Sequence, residues 1–248
     1  MNIRALLRLA AIAGLASLTL TAQAETADAA KWTGEGSFSA GTSTGNTETT
    51  DLGLGVTLGR EMGVWKVGLQ ANADYGETEG QETKNRIFLG ANLDRQINDK
   101  LFGFGQLSYE QDEFSGFSSR TFIGGGLGYE VFNSEKMQWT VRGGPGLKID
   151  EIEATLATPA STEESFSATA QSNWAYSVND NVSLSNDTSV LYAETSTQIG
   201  NITGLTATLT NTLSARVSFE VRHDTDPPTG FEQTDTISRI SLVYAFGK

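Results

Sequence analysis

Apolar and polar side chains alternate along most of this chain, from Lys31 onward, in stretches of about ten residues separated by turn residues. In the last stretch, the side chains of Leu242, Tyr244 and Phe246 share one face. The opposite face carries Arg239, because successive side chains of a strand point to opposite sides. Such strands are typical of a membrane barrel with lipid outside and a polar interior.

The pattern predicts about twelve strands, an even number like those of bacterial single-chain barrels. We therefore expect an all-β fold, namely a transmembrane antiparallel up-and-down β-barrel. The connections between the stretches also alternate in length, which is typical of short periplasmic turns and longer outer loops. The predicted short connections are Arg60–Gly63, Asn98–Lys100, Asn133–Lys136 and Asn179–Asn181. The predicted longer ones are Gly76–Thr83, Gln111–Ser118, Glu151–Glu164, Thr195–Asn201 and Asp224–Gln233.

Two strands are poorly defined by this pattern. The fifth strand has Phe102 and Phe104 opposite Leu107 and Tyr109, so its lipid-facing side is ambiguous. The tenth consists of apolar residues set among threonines, from Leu205 onward. A secreted β-sandwich would also alternate, since one face of each sheet is buried. Soluble strands usually have about 5–6 residues, and the longer stretches seen in this chain favour the barrel.

The N-terminus predicts a secretory signal peptide over residues 1–24. Arg4 and Arg8 precede an apolar run, and Ala22-Gln23-Ala24 has the small-residue pattern of a cleavage site. The run is too short to span a bilayer. We expect a mature chain from Glu25, with a short periplasmic lead-in over residues 25–30 and the barrel over residues 31–248. Together these features predict the outer membrane of a Gram-negative cell.

Composition narrows the possible partners. The chain has 17 basic and 30 acidic residues and no cysteine, so disulfides do not stabilise it. Removing Arg4 and Arg8 with the signal peptide leaves a net charge of −15. This charge argues against nucleic acid as a partner, because nucleic-acid binding requires basic surfaces. The expected partners are outer-membrane lipid, lipopolysaccharide and the barrel-assembly machinery, and the oligomeric state is left open.

Several segments resemble a known family. They are Tyr109–Arg120, Gly124–Tyr129, Arg142–Gly146 and the ending Leu242–Phe246. The chain is similar along nearly its whole mature length to the YdiY-like domain-of-unknown-function family, labelled as salt-induced outer-membrane proteins. The resemblance implies an outer-membrane barrel but no substrate and no catalytic residue. Gly247 and Lys248 extend beyond the aromatic residue on which such barrels tend to end.

Charged residues on the inward faces are the candidate functional residues. The predicted lumen-lining residues are Arg86, Glu110, Arg120, Glu130, Arg142, Lys148, Glu220 and Arg222. Such charges could line a narrow aqueous pore and set its ion preference, or they could pair within a filled barrel, and strand number does not decide between these. In the filled barrel, Arg120 and Arg142 would pair with Glu110 or Glu130. A salt bridge between Asp112 and Arg120 is also expected.

Other candidate chemistry is weaker. His223 is the only histidine and would face outward; a lipid-modifying enzyme could use it with a serine, but the sequence places no such partner beside it. The acidic pairs, such as Glu163-Glu164, lack the spacing of a calcium loop, although they could hold divalent cations at lipopolysaccharide. We therefore predict a non-enzymatic protein without cofactor or catalytic metal. The predicted assembly signal consists of Leu242, Tyr244 and Phe246.

Overall fold

The computed structural model describes residues 31–46, 48–154 and 159–247. Within them, twelve strands form one closed antiparallel barrel, in which strands adjacent in sequence pair and β1 pairs with β12. The predicted fold class is confirmed. The predicted signal peptide and lead-in lie outside the described residues. The strands are β1 Thr33–Thr44, β2 Thr49–Met62, β3 Trp65–Thr78, β4 Gln81–Gln96, β5 Leu101–Asp112, β6 Phe117–Asn133, β7 Met137–Ile152, β8 Ser161–Asn179, β9 Val182–Ala193, β10 Thr197–Thr208, β11 Leu213–Asp224 and β12 Thr234–Phe246.

The two ends of the barrel differ, and each is named by the part of the chain found there. The terminal rim is the end at which β1 begins and β12 ends, and tight turns such as Gly63–Val64 join successive strands there. At the opposite end, the loop rim, the connection 225–233 between β11 and β12 folds back towards the facing wall. There the ring of Phe231 lies against Gly116, in the connection between β5 and β6. This contact narrows the mouth of the barrel.

The outer wall is apolar, and the inner wall is mostly polar. Large apolar side chains that would be buried in a soluble protein are exposed on the outside, as the alternation requires of a wall that faces lipid. In the described part of the chain, no helix is long and apolar enough to cross a membrane. Exposed outward residues include Phe38, Leu52, Leu54, Leu89, Leu107, Ile123, Leu127, Phe166, Leu205, Val217, Ile240 and Leu242.

Several predicted loops at the loop rim are wrong, because the strands continue through them. The predicted loop over residues 76–83 is mostly strand, and only Glu79 and Gly80 form the turn, with φ of 52° and 80°. Two positive φ values match the two-residue turns that fit the twist of a hairpin. The predicted loop over residues 195–201 likewise gives way to β10 from Thr197. Beyond the lipid both faces of a strand meet water, so backbone pairing continues without apolar alternation.

The ambiguous fifth strand is resolved by its packing against β6. Phe102 and Phe104 are buried inside the barrel, whereas Leu107 and Tyr109 are exposed outside. A Cβ on Gly128 would lie 2.1 Å from the ring of Phe102, so this inward glycine makes room for the ring. The aromatic rings therefore fill part of the lumen next to β6.

Candidate functional site in the barrel lumen

Charged side chains fill the half of the lumen next to the loop rim. They comprise six acidic and six basic residues of the described chain, and we call them the loop-rim network. The acidic and basic charges balance. The members are Asp51, Asp74, Lys84, Arg86, Glu110, Arg120, Lys148, Asp150, Glu220, Arg222, Asp224 and Arg239.

Asp74 on β3 is a central member of the network. Its Oδ1 accepts a hydrogen bond of 2.6 Å from Arg239 on β12, and its Oδ2 accepts one of 3.3 Å from Arg86 on β4. Arg86 also donates to Glu110 on β5, with 3.1 Å between Nε and Oε2. These contacts connect four strands through a carboxylate whose side chain is only 6% exposed.

Asp51 extends this arrangement to β2, and its side chain is fully buried. Its carboxylate lies 3.1 Å from Arg239 Nη2 and 3.6 Å from Lys84 Nζ. Ser43 donates to Asp51 Oδ1 at 3.1 Å and accepts a hydrogen bond of 2.8 Å from Lys84. Buried carboxylates are tolerated because each has cations and hydrogen-bond donors around it.

The second part of the network joins facing walls of the barrel. Arg120 on β6 donates to Asp224 on β11 at 2.6 Å, and its guanidinium stacks on the ring of Phe117 at 3.4 Å. On β7, Lys148 Nζ lies 2.7 Å from Asp150 Oδ2, and Asp150 Oδ1 lies 3.8 Å from Arg120 Nε. A salt bridge between β6 and β11 crosses the lumen, since five strand steps separate them in a barrel of twelve.

Below the network, towards the terminal rim, amides are more frequent. Arg142 donates to Gln171 at 2.6 Å, and Gln171 donates to Gln106 at 3.1 Å. Arg142 Nη1 also lies 3.9 Å from Asp94 Oδ1. Separate ion pairs follow near the rim, among them Lys66 with Glu130 at 3.6 Å.

A cavity of about 690 Å³ lies inside the lumen. It extends from Asp235 at the loop rim past the network to Asn72, Asn92 and Asn173 below it. The network therefore narrows the lumen, and the cavity continues beside it.

The structure places the eight predicted lumen residues in two different environments. Glu130 and Arg142 lie towards the terminal rim, where they contact Lys66 and Asp94 respectively. The other six belong to the loop-rim network. Those six are Arg86, Glu110, Arg120, Lys148, Glu220 and Arg222.

The predicted pairings of the arginines were wrong. Arg120 forms ion pairs with Asp224 and Asp150, and none with Glu130 or with Glu110, although Glu110 stands opposite it on β5. Asp112, its other predicted partner, instead accepts a hydrogen bond from the backbone N–H of Phe114 and so orders the β5–β6 connection. Arg142 is level with Gly128 while Arg120 is level with Asp150, so the two arginines lie far apart along their strands.

Six members of the network were not among the eight predicted lumen-lining residues, and two of these six were left out because sequence reasoning ended their strands too early. Lys84 follows the segment predicted as a loop, and Asp224 was assigned to the last loop. The signal that could have found them is the two-residue period, since Arg86 and Arg222 were already assigned to the lumen. Extending each strand by one such step brings in both missing residues.

The remaining predicted residues lie on the outer wall. Leu242 and Tyr244 are exposed there, and Phe246 lies against Gly34 of β1, where a Cβ would come within 2.7 Å of the ring. The histidine at position 223 pairs with Thr234 at 2.8 Å. Among the described residues, no cluster of three or more His, Cys, Asp or Glu side chains is arranged to hold a metal.

A closed barrel of twelve strands with an apolar wall and a charged lumen has the fold of outer-membrane porins and related barrels. The solved structure of NanC porin is similar, with a TM-score of 0.56 and 12% identity over 84% of this chain and 98% of that one. The translocator domain of the autotransporter NalP from Neisseria meningitidis is also similar, with a TM-score of 0.53 and 14% identity over 96% of each chain.

The chain belongs to the family described as "Protein of unknown function, DUF481", which matches residues 36–246. An uncharacterized protein of Escherichia coli (strain K12), YdiY, is 24% identical over 214 residues, which are 85% of this chain and 82% of that protein. The predicted family resemblance is therefore confirmed.

Proposed function

We propose that this protein is a non-enzymatic outer-membrane barrel that forms a narrow pore for small solutes or ions. The observation that carries the proposal is the polar lumen cavity, which continues past the loop-rim network towards the terminal rim. The likeness to a protein named as a porin is consistent with it. Placement in the outer membrane is supported by the apolar outer wall and by the predicted signal peptide.

The charges that line the cavity indicate a preference for cations. The network itself is balanced, but seven acidic and four basic side chains line the cavity, because Asp112, Asp187, Glu232 and Asp235 also border it. Below the network, uncharged amides such as Asn72 and Asn92 line the path. We therefore expect a small conductance with a preference for cations.

The alternative is a filled barrel that contributes to envelope integrity without conduction. The Arg120–Asp224 salt bridge favours this alternative, because it fastens opposite walls to each other across the lumen. The two proposals differ in whether ions can pass beside that bridge.

Paired substitutions of Asn72 should distinguish them. In planar bilayers, we expect the wild type to conduct, Asn72→Asp to shift the reversal potential towards cation preference and Asn72→Lys to shift it towards anion preference. A new charge acts on permeating ions only if it lies beside their path, and lumen substitutions tune selectivity with little effect on folding.

The matched control is Glu82→Gln, an exposed position on the same hairpin. It changes the protein charge by one unit, as either Asn72 variant does, but outside the lumen. A wild type without conductance would establish the filled barrel. Equal shifts in the control and in Asn72→Lys would show that surface charge, and not a lumen path, controls the current.

A further inference from the structure

Four basic side chains lie on the outer wall at the terminal rim, each of them over an aromatic ring of a neighbouring strand. The guanidinium carbon of Arg60 is 5.7 Å from the centre of the Trp32 ring, and that of Arg95 is 5.7 Å from the Trp65 ring. The other two pairs, both at 5.8 Å, are Lys100 with Tyr129 and Lys136 with Tyr176. The four pairs extend around the wall from the start of β1 to β8.

These four cations differ from the other basic side chains because they have no acidic partner. Each inward basic side chain of the described strands forms a salt bridge with a carboxylate. Within the described residues the four outward cations form none, although Asp99 and Glu135 lie next to two of them in the turns. Their positive charge is therefore available to a partner outside the protein.

The aromatic rings indicate the depth of these cations in a membrane. Trp32 and Trp65 are each 40% exposed and Tyr129 is 44% exposed, at the end of the apolar outer wall. Exposed aromatic residues at this position concentrate at the level of the lipid headgroups. Long basic side chains at the ends of membrane-spanning segments extend their charge to the same level. The four cations therefore lie at the depth of the phosphate groups of a bilayer.

The outside of the loop rim carries the opposite charge. Glu77, Glu79 and Glu82 are exposed on the β3–β4 hairpin, and Glu163 and Glu164 are exposed near the start of β8. The basic side chains that the structure describes at this end all point into the lumen and belong to the loop-rim network. Anionic headgroups are therefore attracted to the outer wall at the terminal rim and repelled at the loop rim.

We propose that the outer wall at the terminal rim binds anionic phospholipid headgroups, with the principal site between Arg60 and Arg95. These arginines lie on β2 and β4, on either side of β3, so their backbones are about 10 Å apart. Trp65 and Val67 of β3 lie directly opposite them. A guanidinium group matches the geometry of a phosphate, and the apolar wall beside it accepts the acyl chains. The proposal rests on the outer-membrane placement proposed above, but not on conduction.

Quenching of tryptophan fluorescence by brominated lipid tests this site. The chain has four tryptophans, so replacing Trp139 and Trp174 by phenylalanine restricts the signal to Trp32 and Trp65. In phosphatidylcholine bilayers, we expect a small fraction of brominated phosphatidylglycerol to quench more strongly than the same fraction of brominated phosphatidylcholine. The preference for the anionic lipid should be on the order of tenfold and should fall as salt is added, because salt screens exposed charges. Equal quenching by the two lipids would overturn the proposal.

Two double variants locate the effect. Arg60→Gln with Arg95→Gln removes both guanidinium groups from the outer wall, and the preference should then fall on the order of tenfold. The matched control, Lys66→Gln with Arg216→Gln, removes the same charge near the same rim from lumen-facing side chains that pair with glutamates, and it should keep the preference.

Equal losses in the two double variants would assign the effect to net charge and overturn the proposal, as would an unchanged preference in the arginine variant. The salt dependence of the protein with both arginines intact requires neither double variant, so the test does not depend on their folding. Conductance of the arginine variant reports separately on the proposed pore.

Discussion

Replacement of Asp74 by leucine is expected to abolish most of the folded barrel. The substitution leaves Arg86 and Arg239 facing each other in the lumen without the carboxylate that both of them contact. Arg86 keeps Glu110 and Arg239 keeps Asp51, but each buried guanidinium loses one of its two carboxylates, and removing one partner of a buried ion pair costs about 3–5 kcal/mol. The measurement is the urea midpoint of the purified barrel, together with the fraction that keeps its compact, heat-modifiable mobility on gels.

Two further variants separate the loss of charge from the change of residue. Asp74→Asn retains oxygen and nitrogen atoms that can hydrogen bond, so its loss of stability should be smaller than that of Asp74→Leu. Glu82→Leu removes a carboxylate from an exposed position near the same rim and should change stability by less than about 0.5 kcal/mol. If Asp74→Leu unfolds no more readily than Glu82→Leu, the loop-rim network does not stabilise the barrel.

The sequence predicted the barrel well because a membrane wall imposes alternation on the spanning part of every strand. Lipid on one side and a polar lumen on the other force apolar and polar residues to alternate. The inward placement of Arg86 or Glu220 therefore follows from its position in this alternation alone. The alternation of apolar and polar residues does not identify the inward face where an aromatic residue fits inside the lumen. Phe102 faces the lumen only because Gly128 on the neighbouring strand leaves space for its ring, and that pairing is not visible in one strand.

The missed elements have two physical causes. At the loop rim, β3 and β4 extend into the segment predicted as a loop, where water on both sides removes the apolar signal. On β10, Asn201 and Thr203 occupy outward positions that should be apolar, so the pattern detected the strand only from Leu205 onward.

Partner assignment could not follow from the sequence, since it depends on how far each strand is shifted against its neighbours. Arg120 and Arg142 are both inward on adjacent strands, yet the register places Arg120 opposite Asp150 and Arg142 opposite Gly128. The contact of Arg120 with Asp224 requires closure of the barrel, which brings together residues that are 104 positions apart. A list of inward charges therefore predicts composition of the lumen but not its ion pairs.

The substitution Gly126→Val should prevent normal closure of the barrel between β6 and β7. A Cβ at this position would lie 2.2 Å from the carbonyl oxygen of Gly143 and 2.7 Å from Gly144 Cα. Both contacts are with backbone atoms, so no side-chain rotation relieves them and the strands themselves must move apart. Overpacking of this kind costs about 3 kcal/mol, and more when the backbone cannot adjust. We expect a clear loss of folded protein in outer-membrane fractions and a lower urea midpoint of the fraction that remains.

Gly105→Val provides the matched control on the adjacent strand β5. Gly105 is exposed, and a Cβ there would meet nothing within 4 Å. Valine favours strands and is apolar, so on the lipid-facing wall it should leave stability unchanged or raise it slightly. Equal behaviour of the two variants would contradict the close approach of β6 and β7. A selective defect of Gly126→Val would instead show that Gly126 is required for this approach, because only a residue without a side chain fits there.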